Sequence, residues 1–370
     1  PFDPRLISVV PPAVAQAGMD SGVARRPIID MERYTNMLKG RMDPTYQIIR
    51  SLNARARAAQ ATMIFAEGDD PHVLRAAVAY QRNGFGKAIV VGRDNDVAEK
   101  LEAAGLADAV SELEVMNAAK TEHLATYKEF LYKRLQRKGF DRHDIHRLAA
   151  RDRHVFSALM LAHGHGDGLV TGATRKAAYV LNLINHVFDA RAEDGAVGIT
   201  ALLIKGRIVF VADTLVHEWP DEYDLADIAQ RAAAVARSLG VEPRVAFTSF
   251  STFGYPVSER AEKMHLAPEI LDARNADFEY DGEMTADVAL NPEAMARYPF
   301  CRLTGPANIL VMPARHSASI SVKMMQELAG ATVIGPILAG VSKPIQICST
   351  SSTANDILNM AVLAANKVGG

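Results

Sequence analysis

The chain has 370 residues, of which 49% are hydrophobic and 23% are charged, with a formal net charge of −2 at pH 7. This composition excludes a disordered or fibrous chain, and the near-neutral charge argues against a nucleic-acid partner. Only Cys301 and Cys348 occur, which excludes a disulfide framework and a cysteine-based zinc site. The longest uncharged stretch near the C-terminus, 328–342, is shorter than the about 20 residues of a membrane span. We therefore expect a cytoplasmic protein of two or three domains.

The first forty residues differ from the rest of the chain. The run 6–10 is apolar, β-branched and followed by prolines, which predicts a short strand, and 12–19 predicts a short helix. Such a piece cannot bury its apolar face within itself. We interpret residues 1–40 as the tail of a preceding domain, with a docking N-terminal arm as the alternative.

A strand, turn, helix and strand follow in order. The run 62–66 is apolar, 68–71 carries turn and helix-capping residues, 72–82 has helical spacing, and 87–91 is apolar again. This order predicts one βαβ unit. The next stretch, 94–152, is charged and predicts mainly helices.

Further apolar runs alternate with helical segments along the remaining chain. The predicted strands are 169–170, 201–204, 208–212, 244–247, 308–312 and 331–334. Alternation of this kind predicts an α/β fold with largely parallel sheets and helices on both faces.

A metal site is the first chemistry that the sequence suggests. His163, His165 and Asp167 lie within five residues, and alternate residues of an extended chain point the same way. The spacing fixes no further donor, so we expect no metal site. The glycines of the same run precede a strand, whereas a dinucleotide fingerprint follows one.

Two hydroxyl-rich loops follow predicted strands and are the best candidates for a pocket. Residues 248–254 follow the run 244–247, and residues 348–353 follow the run 345–347. Ligands of parallel sheets bind beyond the carboxyl ends of the strands, although serine and threonine there are equally often helix caps. We expect 335–338 and 343–344 to break and redirect the chain.

Several of these runs together resemble the phosphate acetyltransferase (phosphotransacetylase) family over residues 41–370. They are Ala66-Glu67-Gly68-Asp69, Gly166-Asp167-Gly168-Leu169-Val170-Thr171-Gly172-Ala173, Val211-Ala212-Asp213, Pro243-Arg244-Val245-Ala246, Ser249-Phe250-Ser251-Thr252, Asp281-Gly282-Glu283, Gly305-Pro306-Ala307-Asn308, Gly335-Pro336-Ile337-Leu338 and Lys343-Pro344. Residues 1–40 instead resemble the end of the catalytic part of bacterial malic enzymes, in the runs Phe2-Asp3-Pro4-Arg5-Leu6, Ala13-Val14-Ala15, Met19-Asp20-Ser21-Gly22-Val23-Ala24 and Arg26-Pro27-Ile28. One family of large NADP-dependent malic enzymes carries a phosphotransacetylase-like domain directly after that part, and this chain resembles that domain.

The resemblance implies two α/β subdomains with a cleft between them that holds coenzyme A in the transferases. We expect subdomain I to comprise 41–163 plus 326–370, and subdomain II to comprise 164–325. The resemblance also implies a homodimer through this domain and a higher oligomer of the full-length protein.

In active transferases an aspartate acts as base on the thiol of coenzyme A, a serine supports the oxyanion, and arginines hold phosphate. By resemblance, Asp356 matches the base and Ser349 the serine. The two arginine positions hold Thr350 and Asn182, and two further polar positions hold Ala314 and His316. Loss of two guanidinium groups costs about 5 to 8 kcal/mol of transition-state stabilisation if additive, because threonine and asparagine cannot replace them. We therefore expect no catalytic residues.

The resemblance implies acetyl-CoA as ligand, with NADP and a divalent metal confined to the upstream catalytic domain. The candidate acetyl-CoA-binding residues are Ser249, Ser251, Thr252, Ser349, Thr350, Asp356, Lys343, Arg134 and Arg137. The last two belong to a basic segment that is either a solvated helix face or a phosphate contact.

Three functions stay open at this point. The favoured one is a regulatory and oligomerisation domain on which acetyl-CoA inhibits the oxidative decarboxylation of malate by the upstream domain. The second is a working phosphate acetyltransferase, and the third is a dimerisation module with an empty cleft.

Overall fold

The structure is a computed structural model that describes residues 6–24, 28, 31, 34–35, 38, 44–189, 195–204 and 206–368. Its strands are β1 Met63–Phe65, β2 Ala88–Val91, β3 Glu114–Met116, β4 Gly168–Thr171, β5 Val197–Ile204, β6 Arg207–Ala212, β7 Arg244–Thr248, β8 Glu279–Met284, β9 Ile309–Val311, β10 Thr332–Ala339 and β11 Ile345–Ile347. Its α-helices are Leu6–Asp20, Pro44–Ala59, Pro71–Arg82, Asp94–Ala103, Leu124–Leu135, Arg142–Arg151, Arg153–Ala162, Ala177–Ile184, Glu222–Ser238, Glu259–Ala273, Ala286–Leu290, Pro292–Met295, Arg315–Ala329 and Ala354–Val368. Short 3-10 helices span Ala107–Ser111 and Gln136–Lys138.

The N-terminal strand prediction is wrong. Leu6–Asp20 is one helix that includes Pro11 and Pro12. A helix pairs its backbone groups within itself, whereas the apolar run 6–10 could form a strand only beside a neighbour. Most of the remaining predicted tail, 21–40, lies outside the described residues.

The first sheet has the order β11-β4-β1-β2-β3, and all four of its pairings are parallel. The predicted βαβ unit is confirmed as β1, the helix Pro71–Arg82 and β2. Asp70 starts that helix, because its carboxylate accepts the backbone N–H groups of His72 and Val73 at 2.8 and 3.0 Å. Strand β3 was not predicted, and its three residues are only half-buried.

The second sheet has the order β10-β5-β6-β9-β7-β8. Its β10-β5 and β5-β6 pairings are antiparallel, and the other three are parallel. The prediction of an α/β fold with largely parallel sheets is therefore confirmed. Strand β8 escaped prediction because Asp281 and Glu283 interrupt its apolar pattern, although both side chains are buried.

Residues 335–338 do not redirect the chain as expected. Gly335 and Pro336 lie inside β10, where the pairing with β5 shifts between Ile334 and Ile337. Strand β10 is an edge strand of the described sheet, which tolerates the missing N–H of a proline. Gly335 has φ +133, and a Cβ there would lie 2.9 Å from the carbonyl oxygen of Ile199.

Two strands pair across the expected subdomain boundaries. Strand β4 lies within 164–325, yet it pairs with β1 and β11 of the first sheet. Strand β10 lies within 326–370, yet it pairs with β5 of the second. The chain thus crosses between the two sheets after β4, and returns to the first sheet only after β10.

The two sheets share a hydrophobic core. Met63 and Phe65 point to one face of the first sheet and join Phe210 and Phe247 of the second in one buried cluster, while Ile64 points to the opposite face. The C-terminal helix Ala354–Val368 packs on the helices before and after β1, on β4 and on β10. This helix therefore fixes the position of the loop that precedes it relative to both sheets.

Candidate functional site

A cavity of about 520 Å³ lies between elements of the two sheets. This volume is within the range of about 300 to 1,000 Å³ that is usual for small-molecule sites. The described residues that line it are Lys176, Ala177, Thr200, Thr214, Leu215, Ser319, Val322, Lys323, Gln326, Val333, Ile334, Gly335, Pro336, Ser349, Thr350, Ser351, Ser352, Asp356, Asn359 and Met360. The cavity is therefore rich in hydroxyl groups.

The loop after β11 brings Ser349 to this cavity. Its Oγ lies 3.0 Å from Ser351 Oγ, and its backbone N–H donates to Ser352 Oγ at 3.1 Å. The backbone N–H of Ser352 donates in turn to the Ser349 carbonyl at 3.0 Å. The hydroxyl groups of this loop thus bond chiefly within the loop, and they keep capacity for a ligand.

Asp356 lies in the first turn of the helix Ala354–Val368 and is half-buried. Its Oδ2 accepts the backbone N–H and the hydroxyl of Thr353, both at 2.8 Å. These bonds fix the carboxylate at the cavity wall, where it could act as a base or as a hydrogen-bond acceptor. The predicted pair of Ser349 and Asp356 therefore lines one cavity.

No arginine is among the described residues that line this cavity. Thr350 lines it, whereas Asn182 is exposed on the helix Ala177–Ile184, outside the lining. Arg315 lies outside the lining, where its guanidinium donates to the Leu215 carbonyl at 3.2 Å and pairs with Glu218 at 3.3 Å.

Two further departures from the family pattern, Ala314 and His316, lie at the start of the helix Arg315–Ala329. Neither lines the cavity. The His316 ring instead contacts the exposed indole of Trp219, with the ring centroids 6.3 Å apart. These two positions therefore contribute nothing to the described cavity wall.

Residues that the sequence did not predict also shape the cavity. Lys176 and Lys323 supply its only described cations. Asp213, 1% exposed, accepts the backbone N–H groups of Gly198 and Leu215 at 2.9 and 2.7 Å. Lys176 could have been found from its place after a parallel strand, but Lys323 lies within a helix and carries no motif.

Asp213 also accepts hydrogen bonds from the turn that directly follows it in the chain. Asp213 also accepts the backbone N–H of His217 at 2.8 Å, and His217 Nδ1 lies 2.6 Å from its Oδ2. The turn between these residues presents Thr214 and Leu215 to the cavity. Asp213 is therefore a positioning residue beneath the cavity floor.

Six predicted acetyl-CoA-binding residues do not line this cavity. Ser249, Ser251 and Thr252 follow β7, where Ser251 is buried and donates to Glu283 at 2.8 Å. Lys343 is exposed before β11. The remaining two are Arg134, which binds Asp189 at 2.5 Å, and Arg137, which is exposed in a 3-10 turn.

The candidate metal residues are engaged with the protein. His163 Nδ1 lies 2.8 Å from the Leu159 carbonyl, His165 Nδ1 contacts the Tyr127 hydroxyl, and Asp167 accepts the backbone N–H of Thr62 at 2.8 Å. Burial and the neighbouring His123 and His163 lower the pKa of His165. Within the described part of the chain, no group of three or more potential ligands could hold a metal ion.

None of the helices in the described ranges is long and apolar enough to cross a bilayer.

Two sheets around a hydroxyl-rich cavity, with Ser349 and Asp356 in its wall, define a phosphotransacetylase-like α/β protein. A phosphotransacetylase structure from Streptococcus pyogenes matches with a TM-score of 0.80 and 28% identity, over 87% of this chain and 98% of that one. The model of the phosphate acetyl/butaryl transferase family matches residues 47–365. The chain belongs to this family.

Malic enzymes and phosphate acetyltransferases are both among the curated relatives that match the chain. The chain is 47% identical over 369 residues to an NADP-dependent malic enzyme of Rhizobium meliloti (strain 1021), covering 100% of this chain and 48% of that protein. It is 31% identical over 326 residues to a phosphate acetyltransferase of Clostridium acetobutylicum, covering 85% of this chain and 97% of that protein. The chain spans about half the length of the malic enzymes that it matches. The expected resemblance to a phosphotransacetylase-like part of NADP-dependent malic enzymes is therefore confirmed.

Proposed function

We propose that this chain is the regulatory and oligomerisation domain of an NADP-dependent malic enzyme, and that acetyl-CoA binds in its cleft as an allosteric inhibitor. The upstream part of such an enzyme, with NADP and a divalent metal, oxidatively decarboxylates malate to pyruvate in the cytoplasm. The domain forms a homodimer and takes part in a higher oligomer of the full-length enzyme. Support comes from the identity to malic enzymes over the whole of this chain.

One observation carries the proposal. The cavity keeps Ser349 and Asp356, but its described lining contains no arginine. A positioned donor to the developing charge is worth about 10²- to 10³-fold in rate. Binding does not need that donor, because affinity for a large ligand comes from apolar burial and a few polar contacts. The cleft is therefore suited to hold acetyl-CoA without turning it over efficiently.

Allosteric regulation requires only a small coupling free energy between the cleft and the upstream active site. A coupling of about 1 to 3 kcal/mol between the cleft and the upstream active site changes affinity about 5- to 150-fold. The described cleft has walls from both sheets, so a ligand there can favour one relative position of the walls over another. Such a preference is the physical requirement for inhibition at a distance.

The direct test is an acetyl-transfer assay with coenzyme A and acetyl phosphate. We expect turnover far below that of the phosphate acetyltransferase of C. acetobutylicum, measured in parallel as the control. Turnover within about tenfold of that enzyme, about 1.4 kcal/mol in barrier, would refute the regulatory function.

Calorimetry separates the remaining possibilities. We expect acetyl-CoA to bind the chain with measurable heat and to inhibit the full-length malic enzyme. An absence of heat together with an unchanged oligomeric state would favour a purely structural dimerisation module.

An active phosphate acetyltransferase is the second candidate function. The shared cavity of Ser349 and Asp356 favours it, as does the 31% identity to a phosphate acetyltransferase over nearly all of that protein. The transfer assay decides between the two functions.

A further inference from the structure

The two lysines of the cleft lie on helices that pack against different sheets. Lys176 directly precedes the helix Ala177–Ile184, whose residues Val180 and Ile184 are buried with strands of the first sheet. Lys323 lies in the helix Arg315–Ala329, whose residue Val322 is buried against β5 and β6 of the second sheet. Both line the same cavity. Two cations carried by different sheets thus face one space.

Neither ammonium group is neutralised by the described protein. Many basic side chains elsewhere are paired with acids, as Arg82 is with Asp108 and Glu112. Lys176 and Lys323 are exposed and take part in no described ion pair. The sole carboxylate among the described lining residues is Asp356, whose Oδ2 is bound to Thr353. The described lining therefore carries an excess of one positive charge.

The rest of the lining fits phosphate oxygens. Six hydroxyl side chains besides Ser349 line the same cavity: Thr200, Thr214, Ser319, Thr350, Ser351 and Ser352. Thr200 and Thr214 bond to each other at 2.8 Å, and Thr214 donates to the Gly198 carbonyl at 3.1 Å, so the donors left for a ligand are those of Ser319 and of the loop 350–352. Hydroxyl groups donate to phosphate oxygens, and a lysine contributes a mobile point charge with three donors. A lysine does not impose the bidentate geometry of an arginine. Such a wall can hold phosphate groups of a ligand without aligning them for transfer.

We propose that Lys176 and Lys323 hold the phosphate groups of a coenzyme A thioester from helices that pack against different sheets, so that the bound ligand joins the two sheets. This inference rests on the proposed function for the identity of the ligand. Coenzyme A carries a pyrophosphate and a 3′-phosphate, which are separate anionic groups for two separate cations. Neutralising both removes the repulsion between the walls and favours their approach. Through the two lysines, ligand binding thereby changes the position of one sheet relative to the other.

The test measures binding of two ligands that differ in phosphate content. Acetyl-CoA and S-acetylpantetheine, which lacks all phosphate groups, are titrated calorimetrically into wild type, Lys176→Ala and Lys323→Ala. We expect each variant to bind acetyl-CoA about 3- to 10-fold more weakly and S-acetylpantetheine as wild type does. Lys100→Ala, an exposed lysine of the helix Asp94–Ala103 outside the cavity lining, is the matched control. Unchanged midpoints of denaturant unfolding exclude loss of structure as the cause.

Competition by inorganic pyrophosphate and by acetyl phosphate identifies the groups recognised. Displacement of acetyl-CoA by pyrophosphate in wild type, weakened in both variants, supports the assignment to the nucleotide end. Displacement of acetyl-CoA by acetyl phosphate but not by pyrophosphate would assign the lysines to the acyl end of the ligand. That result would overturn the proposal.

Hydrogen exchange tests the bridge itself. Acetyl-CoA should protect backbone amides of both Ala177–Ile184 and Arg315–Ala329 in wild type, and each lysine variant should lose protection on its own wall. Protection of one wall only overturns the bridge. Equal binding of acetyl-CoA by wild type and both variants refutes this inference while the proposed function stands, and no binding to wild type refutes both.

Discussion

Two hydroxyl-rich loops of this molecule look alike in sequence and differ in what surrounds them. Each follows a buried parallel strand, β7 or β11. In the loop after β7, Ser251 donates to the buried Glu283 at 2.8 Å, and the Gly254 N–H donates to the same oxygen at 2.9 Å. In the loop after β11, Ser349 faces a cavity and bonds chiefly to its own neighbours.

The two loops differ because the protein provides one of them, the loop after β7, with a buried hydrogen-bond acceptor. Glu283 is 1% exposed and also lies 3.0 Å from Nδ1 of His265, so the loop after β7 is fastened to the protein interior. The loop after β11 has no such buried carboxylate among its described contacts. A hydroxyl-rich loop at a strand end can thus serve as a structural joint or as a ligand wall, according to whether the protein itself satisfies its hydroxyl groups.

The largest effect on stability is expected from Glu283→Ala. Removal of this buried acceptor leaves the Gly254 N–H unpaired and His265 without its partner, and it leaves the Ser251 hydroxyl only its bond to Ser249 at 3.2 Å. We expect the free energy of unfolding to fall by about 2 to 4 kcal/mol, measured by denaturant unfolding. Glu293→Ala, an exposed glutamate, is the control. A loss below 1 kcal/mol, on the order of one ordinary hydrogen bond, would show that Glu283 does not fasten the loop.

Thr350→Arg should have the next largest effect, on activity. If the resemblance assigns position 350 correctly, a guanidinium beside Ser349 restores a phosphate donor, and we expect acetyl transfer to rise by about tenfold or more. Thr350→Met adds length without charge and should leave the rate unchanged. An equal rise in both variants would mean that the missing cation does not limit turnover.

Ser251→Ala should destabilise the protein by about 1 to 2 kcal/mol, because the buried Glu283 loses a donor. Binding of acetyl-CoA, measured by calorimetry, should not change. Weaker binding without loss of stability would instead make the loop after β7 a ligand wall.

Ser349→Ala should give the smallest effect on stability, within about 0.5 kcal/mol, since its hydroxyl bonds only with neighbours of its own loop. We expect acetyl-CoA to bind about 2- to 10-fold more weakly, as for one lost hydrogen bond. A large loss of stability would contradict the distinction between the two loops.

Much of the fold was predictable from the sequence, because apolar runs and capping residues act locally. Asp70 begins the helix Pro71–Arg82, and the strands of the βαβ unit lie where the pattern predicts them. Strand β8 was not predictable, since its acids are tolerated only where distant donors satisfy them, as Arg302 N–H does for Asp281 at 2.7 Å. The candidate site was predictable in part: the order of motifs indicated Ser349, Thr350 and Asp356.

The sequence by itself determined the α/β class and the family, because these depend on residue types and their order. Only the tertiary structure decided that β4 pairs in the first sheet and β10 in the second, and that Glu283 accepts hydrogen bonds from the loop after β7. It also decided that Lys176 and Lys323 line one cavity. Those facts depend on which distant segments meet. Sequence spacing does not specify such long-range contacts, since they follow from packing of the whole chain around its shared core.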